Sequence, residues 1–311
     1  MGLIFLKGKV MERIWGGARI KSEWGYEADS DDQLGEYWAI TSNSQADSIV
    51  TSGQYAGKTL SALWKEEPGL FGRTEADESE FPLLVKLIDA REDLSIQVHP
   101  DDAYAKANEH CRGKRECWYI LDCPENAQLV VGNRAKDKEE LKRLIDGEDW
   151  EDLINRLPVK KGDFIQIDPG TLHSITGGII LLEVQTNSDV TYRVYDYGRL
   201  QNGKPRELHI RESKDVMLVP DLITEDQVLH DKDVPSGLQE LIHTVDYRVR
   251  ILKSEGEAAY EINEPYLLAS VIEGSGSLNG EAVRRGDHFL IPHGSGPLKL
   301  SGSVRIILAS P

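Results

Sequence analysis

Lys161-Gly162-Asp163-Phe164-Ile165-Gln166-Ile167-Asp168-Pro169-Gly170-Thr171-Leu172-His173 is the stretch on which the fold turns. A Gly-Asp pair opens it, an apolar run of strand character follows, and a Pro-Gly turn delivers a histidine. Two other stretches carry matching chemistry. In Leu94-Ser95-Ile96-Gln97-Val98-His99-Pro100, Ile96 and Val98 predict a strand. Side chains two apart on a strand share a face, so Gln97 and His99 point together. Glu116 opens another apolar, aromatic run, Glu116-Cys117-Trp118-Tyr119-Ile120-Leu121. The imidazoles of His99 and His173, the Glu116 carboxylate and the Gln97 amide oxygen make a divalent-metal shell. Histidine and carboxylate suit zinc, and fewer than four strong protein ligands leave a place for water or substrate.

The spacing Gly162-Asp163, five residues, Pro-Gly turn, histidine resembles the second motif of a cupin. In that fold the histidine is an inward-facing metal ligand. The same frame recurs near the C-terminus, from Arg285-Gly286-Asp287-His288 to Pro292-His293-Gly294-Ser295-Gly296-Pro297. There Pro297 stands in place of His173, with neither a Gln-x-His nor a matching glutamate. The expectation is a mainly β protein of two cupin-like jelly-roll barrels. Residues 1–217 form a catalytic cupin domain with a helical insertion near 136–157. Residues 218–237 are an acidic linker crossing, and residues 238–311 are a cupin-like domain lacking metal ligands.

Bulk properties narrow the function. The 311 residues carry a formal net charge of −17, which opposes nucleic-acid binding, since that runs on phosphate neutralisation. An anionic substrate therefore requires a local basic cluster. No apolar stretch is long enough for a membrane helix, and Met1-Gly2-Leu3-Ile4-Phe5-Leu6-Lys7 is too short for a secretory signal. Cys111, Cys117 and Cys123 are odd in number and form no CxxC pair, which predicts reduced thiols in a cytoplasmic protein.

Local patterns place further candidates. Thr59 caps a short helix through Trp64, and Leu141, Leu144, Ile145, Leu153, Ile154 and Leu157 predict two helices broken at Gly147. Phe81-Pro82-Leu83-Leu84-Val85-Lys86-Leu87-Ile88 is a buried strand carrying one lysine, which needs a partner or a polar cavity. Glu183 and Gln185 share a face of the strand that starts at Ile179, and Arg193 shares a face with Thr191 and Tyr195.

Taken together, these segments resemble the type I mannose-6-phosphate isomerase family in its short bacterial form. The resemblance rests on Arg13-Ile14-Trp15-Gly16-Gly17, Gly35-Glu36-Tyr37-Trp38, the Lys86 strand, Leu94 through Asp102, Gly113-Lys114-Arg115-Glu116-Cys117-Trp118-Tyr119, and Asp189 through Asp196. It implies one zinc ion per chain at Gln97, His99, Glu116 and His173, with Arg193 as the catalytic-site arginine. It also implies that Lys114 lies near the reacting carbons. Two departures stand out: the usual Gly-Lys-Thr-Glu has Arg115 in third place, and the usual Pro-x-Gly-Thr reads Asp168-Pro169-Gly170-Thr171.

The implied reaction interconverts mannose 6-phosphate and fructose 6-phosphate through a cis-enediol. It needs a base near C1 and C2, an electrophile for the enediolate and a hold on the phosphate. Arginine stays protonated, so Arg193 is assigned to the phosphate or the enediolate. Lys114 and Glu183 are the alternative proton carriers. Arg193, with Ser95, Lys86 or both, is expected to meet the phosphate. Arg199 and Arg206 are weaker candidates at the mouth. A non-catalytic sugar-binding cupin and a metal-dependent cupin oxygenase are the competing functions, and the chain is expected to be a monomer or homodimer.

Overall fold

A strand can be buried along its whole length only where both faces of its sheet are covered. Leu83–Asp89 and Ile180–Thr186 are buried throughout and pair with each other in the middle of a six-stranded antiparallel sheet. The computed structural model describes residues 2–311. The order in this central sheet is Phe164–Ile167, Glu116–Asp122, Ile180–Thr186, Leu83–Asp89, Leu34–Ile40 and Lys9–Gly17.

A second six-stranded sheet contains Tyr192–Tyr195, Ile96–Val98, His173–Ser174, Gln128–Asn133 and Asp221–Leu222, with Ile154–Pro158 also on Gln128–Asn133. Trp118, Ile120 and Leu181 of the central sheet share one core with Leu129, Val131 and Ile175 of this flanking region. The other face of the central sheet, through Tyr37, Leu83 and Leu182, packs on Val249, Leu268 and Ile307 of a nine-stranded sheet. That large sheet also encloses its own core, around Leu252, Phe289, Leu298 and Ile306. Hydrogen bonding closes none of these sheets on itself, where closed barrels were expected.

The repeat is real at the level of its turns. Gly162 and Gly286 adopt φ of 90° and 92°. Asp163 Oδ2 accepts from Lys160 N at 2.9 Å, and Asp287 Oδ2 accepts from Arg284 N at 2.8 Å. Each turn then feeds a four-residue strand, Phe164–Ile167 or His288–Ile291. The two halves are stitched together, because Ile4–Lys7 pairs with His288–Ile291 inside the nine-stranded sheet. Residues 218–236 hold only Asp221–Leu222 and two 3-10 turns, and Gly237 already opens strand Gly237–His243.

Most local expectations hold. Thr59 Oγ1 accepts from Ala62 N and caps Leu60–Glu66. Two differ. The helical stretch is Lys138–Asp146 and Trp150–Leu153, but Ile154 and Leu157 belong to strand Ile154–Pro158. Their apolar spacing suits either element, and the open edge of Gln128–Asn133 decides it by pairing Leu157 with Leu129. Tyr195 does not share the inward face of Arg193, because the ladder to Ile96–Val98 shifts register between them. Tyr195 instead stacks on Trp150 with centroids 4.8 Å apart. The three cysteines are free thiols.

Candidate active site

The site lies between the two six-stranded sheets. Ile96–Val98 and His173–Ser174 lie side by side, with His173 opposite Gln97 in register. Glu116 enters from the facing sheet at the head of its strand. His99, Glu116 and His173 are each about 1% exposed, and one ligand atom from each lies within 4.8 Å of the others. His173 Nε2 is 3.3 Å from Glu116 Oε1, and His99 Nε2 is 3.4 Å from Glu116 Oε2.

The backbone sets both imidazole tautomers. His99 Nδ1 donates to Val190 O at 2.8 Å, and His173 Nδ1 donates to Thr171 O at 2.9 Å. Both Nε2 lone pairs therefore face inward, as a metal-ligating histidine requires. Burial holds both rings neutral: it pushes His99 down to about 3, with Lys114 adding to the effect, and pushes His173 down as well. Burial raises the Glu116 carboxyl, but the Lys114 ammonium outweighs it and holds the group well below its ordinary range. Neither Glu116 oxygen makes a hydrogen bond of acceptable geometry, although the Lys114 ammonium lies 2.8 Å from Oε2. A buried carboxylate with two free lone-pair sites beside two neutral Nε2 atoms is the donor set of a divalent-metal centre. Gln97 completes the ring of groups. Its Nε2 is 3.3 Å from His173 Nε2 and its Oε1 accepts from Ser95 Oγ, so a simple amide flip turns the oxygen inward.

Two glycines make this geometry possible. Gly170 has φ of 90°, and a Cβ there would lie 2.8 Å from Leu218 Cγ and 2.9 Å from Val216 O. A Cβ on Gly113, just before Lys114, would lie 2.4 Å from the Asp101 carbonyl carbon.

A cavity of about 450 Å³ opens beside the cluster. Gln97, Glu116, His173, Lys114, Glu183, Lys86, Ser95 and Arg193 all line it. The sequence-derived candidates thus converge, with His99 in the wall behind. Lys86, 3% exposed, answers its need for a partner with Glu183, 3.4 Å away, and lies over the Trp38 ring at 5.0 Å. Lys114 Nζ stands 3.8 Å from Glu183 and donates to His99 Nε2 at 3.2 Å. Burial pulls the Lys114 ammonium down, but Glu116 and Glu183 outweigh it and hold the pKa above the usual lysine value. Glu183 is raised as well: burial dominates over the pull of Lys114 and Lys86.

Arg193 faces the cluster from the flanking sheet, in register with Gln97. Its Nη1 donates to Glu207 O at 2.8 Å, and its Nε is buried without a partner. The other cavity cations are matched: Arg13 by Glu36, Lys86 by Glu183, Lys114 by Glu116, and Arg206 by Asp196. Among the described residues, Arg193 alone of these has no carboxylate partner. Burial, Arg206 and Arg199 crowd its guanidinium and push its pKa down, which an incoming anion would relieve. Sequence reasoning gave no site role to Arg13, Glu36, Asp189 or Glu207, which also line the cavity. Glu36 carried a signal, a carboxylate inside the apolar run Leu34–Ile40, of the same kind that exposed Lys86. Gln185 shares the face of Glu183, opposite Glu116 in register, but does not line the cavity; it donates to Thr186 O at 2.9 Å and to Ser188 O.

Fold and cluster together define a cupin-type protein with a candidate metal centre next to a cation-lined cavity. The chain belongs to the type I phosphomannose isomerases. Residues 3–130 match the family model "phosphomannose isomerase type I, catalytic domain", and residues 239–311 match "mannose-6-phosphate isomerase, cupin domain". The mannose-6-phosphate isomerase ManA of Bacillus subtilis is 42% identical over 312 residues, covering 98% of each chain. A crystal structure of a Bacillus subtilis mannose 6-phosphate isomerase superposes with a TM-score of 0.90 at 39% identity, over the whole of both chains. A more distant mannose 6-phosphate isomerase, described as bound with zinc and yttrium, shares the fold at a TM-score of 0.78 and 17% identity.

Proposed function

We propose that the chain interconverts mannose 6-phosphate and fructose 6-phosphate through a cis-enediol, with one zinc ion held by His99, Glu116, His173 and Gln97. Two inward Nε2 atoms and an unsatisfied carboxylate suit that ion, as does the zinc-bound relative. When bound, it supplies a Lewis acid for a sugar oxygen at C1 or C2. The rest falls to this chain. Glu183, raised by burial and beside the cluster, carries the proton between the two carbons. Lys114, held as an ammonium by Glu116 and Glu183, donates to the oxygen that gains charge. Arg193 takes the phosphate, with Ser95 and Lys86 lining the same cavity. Residues 1–217 act as the catalytic cupin domain, 218–237 as the crossing, and 238–311 as the cupin-like domain without ligands.

The observation that carries this reading is the pairing of a buried donor cluster with one cavity arginine that lacks a carboxylate partner, in a chain of this family. Metal analysis with a coupled isomerase assay tests it. We expect close to one zinc per chain, mannose 6-phosphate turnover that a chelator abolishes and zinc restores, and a sharp drop in bound metal for His173→Ala. Full turnover after complete metal removal would overturn the metal assignment, and a metal-loaded chain without turnover would overturn the isomerase.

A further inference from the structure

We infer that the turn at residues 244–247 of the C-terminal half supports the active site, with Asp246 gripping Arg115 to hold Lys114 and Glu116 in place. Lys114 and Glu116 line the cavity, whereas Arg115 between them does not. Arg115 leaves by the opposite side. Its Nε donates to Asp246 Oδ2 at 2.9 Å, and its Nη1 pairs with Asp168. Asp246 Oδ1 accepts from Arg112 Nη2 at 3.1 Å. Two arginines flanking Gly113 and Lys114 thus close on one carboxylate from the other half of the chain.

The contacts form a ring. Tyr247, next to Asp246, donates its hydroxyl to Gln166 Oε1 at 3.1 Å, and Gln166 Nε2 donates to Asp168 Oδ1 at 3.2 Å. Asp168 heads the turn that delivers His173. Inside the ring, Thr186 Oγ1 donates to Gly113 O at 2.9 Å and accepts from Arg115 N at 3.1 Å. One ring therefore touches the backbone that carries Lys114, Glu116 and His173. Arg115 and Asp168 are also the two positions where this sequence leaves the pattern it otherwise resembles, and here they bond to each other.

Arg115 and Asp246 are partly buried, at 22% and 17% side-chain exposure, and the effect inferred for them is geometric. Outer residues that orient ligands typically change metal affinity or activity 10- to 100-fold when removed. Arg115 and Asp246 are positioning residues, acting through Lys114 and Glu116. This inference rests on the isomerase reading above.

The experiment compares Arg115→Ala, Asp246→Ala and the double variant with wild type. We expect each single variant to lower kcat about tenfold with KM within about twofold, and to release its metal to a chelator about tenfold faster. The double variant should be no worse than Asp246→Ala, because one ring is lost once. Arg115→Lys should fall between, since an ammonium cannot bridge two carboxylates as a guanidinium fork does. Asp246→Asn keeps the side-chain size and serves if Asp246→Ala fails to fold. Unchanged kcat and metal release with only a lower Tm would overturn the inference. Losses that multiply in the double variant would do so too, as would a raised KM at unchanged kcat, which would put Arg115 on the substrate. Wild type without isomerase turnover would sink the isomerase reading, and the metal-release rates would still decide the ring.

Discussion

Arg193→Ala is the sharpest test of the cavity. The side chain has one donor committed to Glu207 O, and its Nε and outer nitrogen are left for a ligand. A hydrogen bond to a charged group is worth about 1.5–3 kcal/mol net, so losing two costs about 3–6 kcal/mol. At about 1.4 kcal/mol per decade this is a fall of roughly 10²–10⁴ in kcat/KM. Arg193 is not part of the His99, Glu116, His173 cluster, so bound metal should stay at the wild-type level. Arg193→Lys should recover part of the loss, keeping the charge without the fork. The assays are steady-state kinetics on mannose 6-phosphate and metal analysis of the same preparations. A kcat/KM within about threefold of wild type, or loss of metal together with activity, would refute the assignment.

Three further outcomes follow from the same contacts. Burial raises the Glu36 carboxyl, but Lys86 and Arg13 outweigh it and hold it down at about 2. Its stabilisation is therefore present above the ordinary value of 4.5, amounts to at most about 3 kcal/mol, and fades as pH falls toward 2. Glu36→Gln should lower stability at pH 7 by about 1–3 kcal/mol in denaturant melts, with the difference from wild type shrinking in acid. Burial pushes His288, 3% exposed, down to about 3, while its ring bonds Tyr26 and Ser270. A depressed histidine gives stability that is whole above 6.5 and drains as pH falls, about 2.7 kcal/mol by pH 4.5. His288→Gln should flatten that limb of the stability–pH profile, and an equally steep limb would show the titration lies elsewhere. Gly170→Ala puts a methyl group against Leu218 and Val216 at positive φ, and should cost about 1–3 kcal/mol in a thermal melt.

The site's inner groups were legible because short strands impose period two. Gln97 and His99 had to point together, and a Pro-Gly turn had to bring His173 to the same edge. The lone lysine in a doubly covered strand announced its need for a carboxylate, and Glu183 sits directly across from it. What stayed hidden depends on pairings that no local pattern encodes. Arg13 reaches Glu36 from a neighbouring strand, and the register shift after Arg193 sends Tyr195 to the far side. Ile154 and Leu157 read as helix because their apolar spacing fits it, and only the presence of an edge strand made them β. The Gly-Asp repeat correctly gave two equivalent turns, but not the way the sheets around them remain open.

The pairing of Ile4–Lys7 with His288–Ile291 has a consequence for how the molecule is made. Ile4–Lys7 has Ile49–Val50 on one edge early, but its other edge must wait until the far more distant His288–Ile291 has been made. So distant a loop closes slowly and keeps an apolar edge exposed to aggregation meanwhile. For the same reason, a cut within residues 218–237 should not release two soluble pieces: the trailing fragment would lack two strands of its own sheet, and the leading one would carry Ile4–Lys7 with only Ile49–Val50 beside it.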